Sequence, residues 1–274
     1  MSAQNKSVFI DPSDKKTLDK LLAIAIEAAR SGGQILRQRY GKPHDISKKG
    51  AVNLVTEADL ASERVVTTIL RQKTPNFAIM AEEQDDSHGL NQTGTMWVVD
   101  PLDGTTNFAH GYPFFAVSIA LLQQGHPLVG VVYVPMLNEL FTAMVGGGTR
   151  LNGESVVTTK TDTLIEALVA TGFPYERKAK LPGIMRNLEQ VLSHARDVRR
   201  GGAAAIDLAY VACGRLDAYY EIQLNPWDTA AGWLLVTEAG GKVTKMNGET
   251  YSPFIPEILA SNGLIHEALR PLLQ

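Results

Sequence analysis

Two segments near the amino terminus space their apolar residues as amphipathic helices do. Within residues 18–36, apolar side chains recur every three or four positions, which predicts a helix with Asp11 as its N-cap. A second helix is predicted over residues 56–73, because Thr56 and Asp59 match a variant of the capping box. The amino-terminal part of the chain is therefore expected to be helical.

The pattern changes after the second helix, where short β-rich runs replace the helical spacing. Two such runs, at 77–80 and 96–99, are each followed by carboxylates. Three longer runs, separated by turn residues, cover 115–122, 128–134 and 140–145. Because connections as short as these join antiparallel strands, the sequence predicts an antiparallel meander in the first half of the chain.

Strands and helices alternate in the second half of the chain. The predicted strands cover 168–170, 217–222, 242–246 and 258–260, and the predicted helices cover 182–195, 203–213, 229–238 and 264–273. This alternation is typical of an α/β arrangement, whereas the first half is expected to be α+β. We expect two halves, residues 1–153 and 154–274, that pack as one continuous body.

The sharpest chemical feature is the run Trp97-Val-Val-Asp-Pro-Leu-Asp-Gly-Thr-Thr-Asn-Phe108. A buried strand would deliver Asp100 to its end, and a turn could then direct Asp103 and the Leu102 carbonyl at the same point. Hard divalent cations bind such a cluster of oxygens. The small residues Gly104 and Thr105 can offer backbone N–H groups to an anion beside it, which favours phosphoryl chemistry. The alternative is a plain β-turn, for which Pro-x-Asp-Gly is well suited.

Acidic residues at two further places in the sequence favour the metal site over the plain β-turn. Glu82 and Glu83 follow the run at 77–80, and Asp228 lies at the start of a predicted helix, in Trp227-Asp-Thr-Ala-Ala-Gly232. Each has an ordinary explanation, the glutamates as a solvated strand end and the aspartate as an N-cap. Carboxylates at the ends of three separate elements together favour one shared metal site.

These residues resemble the inositol monophosphatase family, whose members are magnesium-dependent and typically lithium-sensitive phosphatases. The motifs that carry the likeness occur in order as Asn53-Leu-Val-Thr-Glu-Ala-Asp59, Ala81-Glu-Glu83, Asp100-Pro-Leu-Asp-Gly-Thr-Thr-Asn-Phe108 with His110, Arg200-Gly-Gly-Ala-Ala-Ala-Ile-Asp207, Asp217-Ala-Tyr-Tyr-Glu221 and Trp227-Asp-x-Ala-Ala-Gly232. The likeness spans most of the chain, and its Thr-Asn-Phe ending favours the inositol branch. It implies a layered αβαβα sandwich with an antiparallel N-terminal sheet and a mixed C-terminal sheet.

The resemblance implies a site for two magnesium ions, most of whose ligands come from the first half. Glu82, Asp100 and the Leu102 carbonyl would hold the first ion, and Asp100, Asp103 and Asp228 would hold the second. Glu82 would also bind a weaker third ion through water.

The resemblance also implies roles in catalysis and substrate binding. Asp59 and Thr105, with Glu82, would act on the attacking water. The residues expected to contact the substrate are Glu82, Leu102, Asp103, Gly104, Thr105, Gly202, Ala203, Ala204, Glu221 and Asp228. Of these, Glu221 and the stretch 202–204 would line the sugar-alcohol side. Lys48 falls on a basic loop position near the metals, and departures at Asn53 and Pro226 bear on the detailed substrate preference.

Composition narrows the class of protein. The 274 residues carry 26 Lys and Arg against 29 Asp and Glu, a formal net charge of −3, so nucleic-acid binding is not expected as the main role. The one cysteine, Cys213, cannot form an intramolecular disulfide, and it is expected to be a packed thiol in a reducing compartment. Since neither a signal peptide nor a membrane span is expected, we predict a cytoplasmic protein with no membrane partner. The resemblance also implies that the protein is a homodimer.

We therefore expect magnesium-dependent hydrolysis of a small phosphorylated sugar alcohol, inositol 1-phosphate above all, through direct attack of water on phosphorus. The nearest enzymatic alternatives are phosphatases of the same superfamily that act on fructose 1,6-bisphosphate or histidinol phosphate. An alternative from another class is a non-catalytic scaffold that binds a partner protein. An assay of phosphate release separates the enzymes from the scaffold.

Overall fold

A computed structural model describes residues 9–42, 46–48, 54–83, 94–175 and 177–273, with the backbone alone at 46–48, 54 and 55. Asn53 lies outside these ranges, and so does the side chain of Lys48. Within them, no helix combines the length and the apolar composition that a membrane crossing needs.

The first helix, α1 (Lys15–Arg39), begins after Asp14 and not after Asp11. The Asp14 carboxylate accepts hydrogen bonds from the Thr17 backbone N–H at 3.1 Å and from the Thr17 hydroxyl at 2.6 Å. Asp11 instead accepts the N–H and hydroxyl of Ser13, both at 2.8 Å, and closes a local turn. The prediction of Asp11 as N-cap was wrong. Asp11 and Asp14 both precede the helix, and an aspartate can either cap a helix or close a turn.

The second helix, α2, packs closely on α1. Strands β1 (Ile46–Lys48) and β2 (Leu54–Thr56) form an antiparallel pair, and α2 (Glu57–Lys73) begins at Thr56 with the predicted capping box. A Cβ atom at Gly32 of α1 would lie 2.8 Å from the Ser62 hydroxyl oxygen. Glycine at this position therefore allows the two helices to approach each other.

A seven-stranded sheet forms the centre of the first half. In chain order its strands are β3 (Ala78–Ala81), β4 (Thr95–Asp103), β5 (Ala116–Gln123), β6 (His126–Val134), β7 (Glu139–Met144), β8 (Thr149–Leu151) and β9 (Glu154–Val156). The spatial order follows the chain, and β4 to β9 are antiparallel neighbours, which confirms the predicted meander. A short helix, α3 (Thr105–Ala109), follows β4.

The antiparallel prediction fails at one edge of this sheet, because β3 runs parallel to β4. The apolar runs at 77–80 and 96–99 did not indicate whether their strands are parallel or antiparallel. Residues 82–94 connect them, and a connection of that length permits both arrangements. The parallel register pairs Ala81 with Val99. The residues that follow this pair, Glu82 and Asp100, therefore lie close together at the same end of the sheet.

The strand β9 belongs to the first sheet although it lies beyond residue 153. Neither β8 nor β9 was predicted, because three-residue strands carry too little alternation to recognise. The division of the chain into halves at residue 153 stays a prediction.

A five-stranded mixed sheet forms the centre of the second half. Its strands are β10 (Leu168–Thr171), β11 (Asp197–Arg199), β12 (Ala218–Ile222), β13 (Lys242–Thr244) and β14 (Glu257–Ser261), in the spatial order β11-β10-β12-β14-β13. Strand β10 is parallel to both of its neighbours, whereas β14 is antiparallel to both of its own. The predicted mixed sheet is confirmed.

The helices of the second half are α4 (Leu181–His194), α5 (Ala204–Ala212), α6 (Pro226–Glu238) and α7 (His266–Leu269). The predicted helix over 264–273 was wrong in its length. After α7 the chain continues as a 3₁₀ turn over Arg270–Leu272. Pro271 explains the interruption, because proline has no N–H and its ring clashes with the carbonyl four residues earlier.

The elements stack in five layers. Helices α1 and α2 cover one face of the first sheet, and α5 and α6 lie between its other face and the second sheet. Helices α4 and α7 cover the outer face of the second sheet. Because β4 is buried along its whole length on both faces, it appears in the sequence as a continuous apolar run that ends in carboxylates. The predicted αβαβα sandwich is confirmed.

Candidate active site

A cleft of about 650 Å³ lies where β4 ends and where α3, α5 and α6 begin. The predicted residues that line it are Glu82, Asp100, Leu102, Asp103, Gly104, Thr105, Gly202, Ala204, Glu221 and Asp228. Two predicted residues do not line it. Asp59 lies fully buried behind Thr105, and Ala203 lies buried behind the cleft wall. Residues from both halves of the sequence thus meet at one concavity.

The turn between Asp100 and Asp103 is held by contacts on both sides. The Leu102 N–H donates to the Asp100 carboxylate at 3.0 Å, and the Ser62 hydroxyl of α2 donates to the Pro101 carbonyl at 2.8 Å. The pairing of β4 with β5 shifts register across the turn. This irregularity brings the two carboxylates to one end of an otherwise regular strand.

Asp103 joins the first half of the chain to the second. Its carboxylate accepts hydrogen bonds from the backbone N–H groups of Ala204 at 3.2 Å and Ala205 at 2.8 Å. These are the first N–H groups of α5, which have no partner within the helix. Asn107 makes a second link, since its amide donates to the carbonyls of Phe114 at 2.7 Å and Gly201 at 3.0 Å.

Asp228 serves as a helix cap and also lines the cleft. It is the third residue of α6, and its carboxylate accepts the N–H of the N-cap residue Asn225 at 2.7 Å. The helix therefore begins before Asp228, at Pro226, and the alternative of Asp228 as the N-cap itself is excluded.

Glu82 reaches the cleft from the end of β3. Its backbone N–H donates to the Val99 carbonyl at 3.2 Å, which continues the pairing of β3 with β4. The neighbouring Glu83 does not line the cleft. Its N–H donates to the Glu63 carboxylate of α2 at 2.8 Å, so Glu63 holds this corner of the site from behind.

Acidic side chains crowd together at this point. Burial raises the pKa of Asp100 well above its ordinary value, and the charges of Glu82, Asp103 and Asp228 raise it further. Burial also raises the pKa of Asp103 to about 7, against the effect of its hydrogen bonds from α5, and the pKa of Asp228 to about 8. Buried carboxylates in such proximity favour a cation among them.

The donor set fits magnesium. Carboxylate oxygens and one backbone carbonyl are the hard ligands that this ion prefers, and the cleft contains no cysteine. Within the described ranges, no group of three or more acidic, histidine or cysteine side chains is arranged closely enough to hold a metal ion. The fit to magnesium therefore rests on the chemistry of the oxygen donors that line the cleft.

Asp59 is connected to the cleft through Thr105. The Thr105 hydroxyl lies 3.0 Å from Asp59 Oδ1 and 3.1 Å from the Leu102 carbonyl oxygen. The other carboxylate oxygen, Oδ2, accepts the Thr56 N–H at 2.9 Å and the Thr56 hydroxyl at 2.5 Å. Burial raises the pKa of Asp59. One carboxylate thus caps α2 and contacts a cleft hydroxyl at the same time.

Gly104 shapes the backbone beside Thr105. Its φ of +94° lies in the region that favours glycine, and a Cβ atom here would approach the Phe114 carbonyl oxygen to 3.0 Å. The backbone turns sharply at this residue, and the first N–H groups of α3 follow it. Such N–H groups are suited to bind anionic oxygens.

Glu221 on β12 also lines the cleft, and its carboxylate accepts a hydrogen bond from the Tyr219 hydroxyl. A Cβ atom at Gly172 would overlap this carboxylate, so only glycine leaves room for it. Burial raises the pKa of Glu221 to about 7, although the charge of Arg200 acts in the opposite direction. The Arg200 guanidinium lies 5.5 Å from the centroid of the Phe173 ring, also in the cleft wall.

Sequence reasoning missed the loop that follows β10. Gly172, Phe173, Tyr175 and Arg177 all line the cleft. The position of this loop after a strand was the one signal in the sequence, because loops at the carboxyl ends of parallel strands commonly form binding sites. The exposed side chain of Arg200, which begins one of the motifs that carry the resemblance, also lines the cleft.

Comparison with known proteins agrees with this geometry. Residues 17–274 match the sequence profile of the inositol monophosphatase family. Inositol-1-monophosphatase of Synechocystis is 43% identical over 274 residues, which cover 100% of this chain and 94% of that protein. The protein of Escherichia coli called Nus factor SuhB is 42% identical over 251 residues, which cover 91% and 94%.

A solved structure confirms the likeness in three dimensions. The crystal structure of extragenic suppressor protein suhB from Bartonella henselae superposes with a TM-score of 0.87 at 37% identity, covering 93% of this chain and 98% of that one. Both the profile and the relatives extend over nearly the whole sequence. The chain belongs to the inositol monophosphatase family.

Proposed function

We propose that this protein is a magnesium-dependent phosphatase that hydrolyses small phosphate monoesters, with inositol 1-phosphate as its best substrate. The observation that carries the proposal is the meeting of Asp100, Asp103 and Asp228 with Glu82 in one cleft, beside the backbone of Gly104 and Thr105. Family membership supports the reaction class, and the presence of Glu221 in the cleft lining supports an alcohol that carries hydroxyl groups.

The carboxylates would hold two magnesium ions in the way the resemblance implies. Glu82, Asp100 and the Leu102 carbonyl would hold one, Asp100, Asp103 and Asp228 would hold the second, and Glu82 would bind a weaker third through water. Bound there, magnesium supplies positive charge for the phosphoryl and leaving-group oxygens and lowers the pKa of water.

The Thr105–Asp59 pair would remove a proton from the attacking water. Thr105 lines the cleft and its hydroxyl is within hydrogen-bond distance of Asp59 Oδ1. The water proton would pass to Thr105 Oγ1 as the Thr105 proton passes to Asp59 Oδ1. The raised pKa of Asp59 supports this role, because a carboxylate that binds a proton more readily is a better base.

The two walls of the cleft would orient the ester. The backbone N–H groups that follow Gly104 would bind phosphoryl oxygens, and Glu221 would accept a hydrogen bond from a hydroxyl of the alcohol. The N–H groups at the start of α5 hold Asp103 in place, so this helix would act on the substrate through a metal ligand. Such fixed dipoles cost no rearrangement during the reaction.

The resemblance supports three further parts of the proposal. The protein would be a homodimer, its activity would be inhibited by lithium, and it would work in the cytoplasm. Sedimentation velocity tests the dimer directly, and lithium inhibition is measured in the same assay as turnover.

Phosphate release from a panel of esters tests the proposed substrate. We expect turnover to require Mg²⁺, to be inhibited by Li⁺ and to be greatest for inositol 1-phosphate, ahead of fructose 1,6-bisphosphate and histidinol phosphate. A preference for either of the other esters would change the proposed substrate but leave the proposed reaction, hydrolysis of a phosphate ester, unchanged. If none of the three releases phosphate at any Mg²⁺ concentration, the enzymatic proposal fails.

A second, non-catalytic role has one observation in its favour, the name Nus factor borne by a relative that is 42% identical. A scaffold of this kind would not need its carboxylates. It gains support if phosphate release is absent while the chain is folded, and it loses support as the main function if turnover follows the predicted ester preference.

A further inference from the structure

A second concavity lies beside α1, and it shares no residue with the active-site cleft. Its volume is about 460 Å³, and its wall is formed by Arg30, Gln34, Arg37, Gln38, Tyr133 and Asn138. The first four residues occupy positions i, i+4, i+7 and i+8 of the helix, so they share one face. Strand β6 and the turn after it supply the remaining two.

The charge of this groove is entirely positive. Its lining contains two arginines and no carboxylate. The acidic residues nearby are occupied elsewhere, since Glu27 pairs with Lys73, Glu57 with Arg39 and Glu139 with Arg215. Neither Arg30 nor Arg37 makes an ion pair or a side-chain hydrogen bond with any residue in the described part of the chain.

The polar groups between the arginines are also available. Gln34 and Gln38 make no side-chain hydrogen bond within the described ranges. The Tyr133 hydroxyl donates to Asn138 Oδ1 at 3.3 Å, which leaves the Asn138 NH₂ group to donate elsewhere. The groove therefore presents guanidinium and amide N–H donors, with no negative charge to compete for them.

The floor of the groove is built rigidly. The Tyr133 ring is buried and lies against Gly33, where a Cβ atom would clash with it. Asn138 adopts a φ of +52°, and its carbonyl accepts the Asn152 side-chain amide at 3.2 Å, which holds the turn in place. Packing of Tyr133 and the hydrogen bond from Asn152 thus fix the position of the turn.

We propose that this groove binds a small anion with two or more phosphate groups, in a site separate from the active site. Arg30 and Arg37 are seven residues apart, so their backbones are separated by about 10 Å along the helix. A chain of linked phosphates spans this separation and can bind one guanidinium group at each end, which favours an oligophosphate over a single phosphate. Guanidinium binds phosphate through paired N–H···O bonds, and the amides between would contact the bridging region.

Calorimetric titration with inorganic tripolyphosphate tests the proposal. The full chain is used with EDTA, so that no divalent cation draws the probe to the acidic cleft. We expect saturable binding that weakens as NaCl is added. Arg30→Gln and Arg37→Gln should each weaken binding about tenfold, and the double variant should weaken it about a hundredfold or more, because each removes a charge-assisted contact.

A matched variant controls for loss of charge alone. Arg64→Gln on the exposed side of α2 removes the same charge from a helix outside the groove, and it should leave binding within about twofold of the original. Magnesium-dependent phosphate release by the double variant should also be unchanged, which shows that it is folded. An absence of saturable binding, equal binding by the double variant, or an equal loss in Arg64→Gln would each overturn the proposal.

Discussion

At the scale of single residues, Asp59 makes a local capping interaction and a contact with a residue distant in sequence at the same time. Its cap interaction with Thr56 was visible in the sequence, because the partners are three positions apart. Its contact with Thr105 joins residues 46 positions apart and was implied only by the resemblance. The contact with the cleft hydroxyl is what distinguishes a catalytic role for Asp59 from a capping role alone.

Asp59→Asn separates these roles. If Asp59 accepts a proton through Thr105, kcat should fall by ~10²–10⁴, the usual contribution of a general base, while the apparent affinity for Mg²⁺ changes little. Thr105→Ala should have a similar effect, and the double variant should be scarcely worse than either single one. Steady-state kinetics and melting temperature are measured on all three. A lowered melting temperature with kcat intact would leave Asp59 as a capping residue only.

Glu221 is expected to select the alcohol and to contribute little to the reaction at phosphorus. Glu221→Gln should lower kcat/KM for inositol 1-phosphate about tenfold more than for p-nitrophenyl phosphate, which offers no hydroxyl. Tyr219→Phe should shift this ratio in the same direction, because it removes the hydroxyl that holds the carboxylate. Tyr220→Phe is the control, since that side chain packs on the other face of β12. Equal losses on both esters would rule out a role in selection.

At the scale of elements, the pattern of apolar residues predicted the long helices and the meander, whereas the mixed second sheet was implied by the resemblance. The pattern did not predict β8, β9 and β11, whose three residues each are too few to show a period, or the end of the last helix at Leu269, two residues before Pro271. The parallel pairing of β3 with β4 was also not predicted. The connection between two strands decides whether they are parallel or antiparallel, and the apolar pattern of the strands themselves does not. That pairing is what places Glu82 beside Asp100.

The middle layer depends on close approach between β6 and α6. A Cβ atom at Gly130 of β6 would lie 2.9 Å from the Ala231 carbonyl oxygen of α6, and backbone cannot move aside as a side chain can. Gly130→Ala should therefore lower the free energy of unfolding by about 1–3 kcal/mol. Gly183→Ala in α4, where no atom lies within 4 Å, should change it by less than about 1 kcal/mol. Equal unfolding midpoints in urea for the two variants would contradict the proposed packing.

At the scale of the whole molecule, the site is assembled where the two sheets and the layer between them meet. Asp103 and Ala205, or Asn107 and Gly201, are about a hundred positions apart in sequence and bonded in the fold. The motif predicted Asp100 and Asp103, because they are three positions apart, and the resemblance implied that Glu82 and Asp228 would join them. The cleft position of the loop at Gly172 was not predicted, because it follows from the packing of distant elements.

The concentration of buried carboxylates should also cost stability when no cation is present. Asp228 has an ordinary pKa of 3.8, and in the folded protein its pKa is about 8. Between these values the folded state retains a proton that the unfolded state has released, so rising pH lowers the free energy of unfolding. In EDTA, the melting temperature should fall as pH rises through this window.

Asp228→Asn should flatten this dependence, since the amide does not titrate. Asp162→Asn, which alters an exposed aspartate, should retain the full slope. Thermal unfolding followed by circular dichroism from pH 5 to 8 measures both. A slope that is the same in the wild type and Asp228→Asn would show that this carboxylate does not carry the effect.

The central claim, that one cluster of carboxylates binds the magnesium used in catalysis, is tested most directly by phosphate release from inositol 1-phosphate as a function of Mg²⁺ concentration. The measurement compares the wild type with Asp100→Asn, Asp103→Asn and Asp228→Asn, and uses Asp162→Asn as the control. The wild type and the control should show saturable turnover that is absent without Mg²⁺. Each of the other three should remain folded and lose most turnover, because neutral amides bind magnesium poorly. Near-wild-type turnover at moderate Mg²⁺ in any of the three would contradict the account.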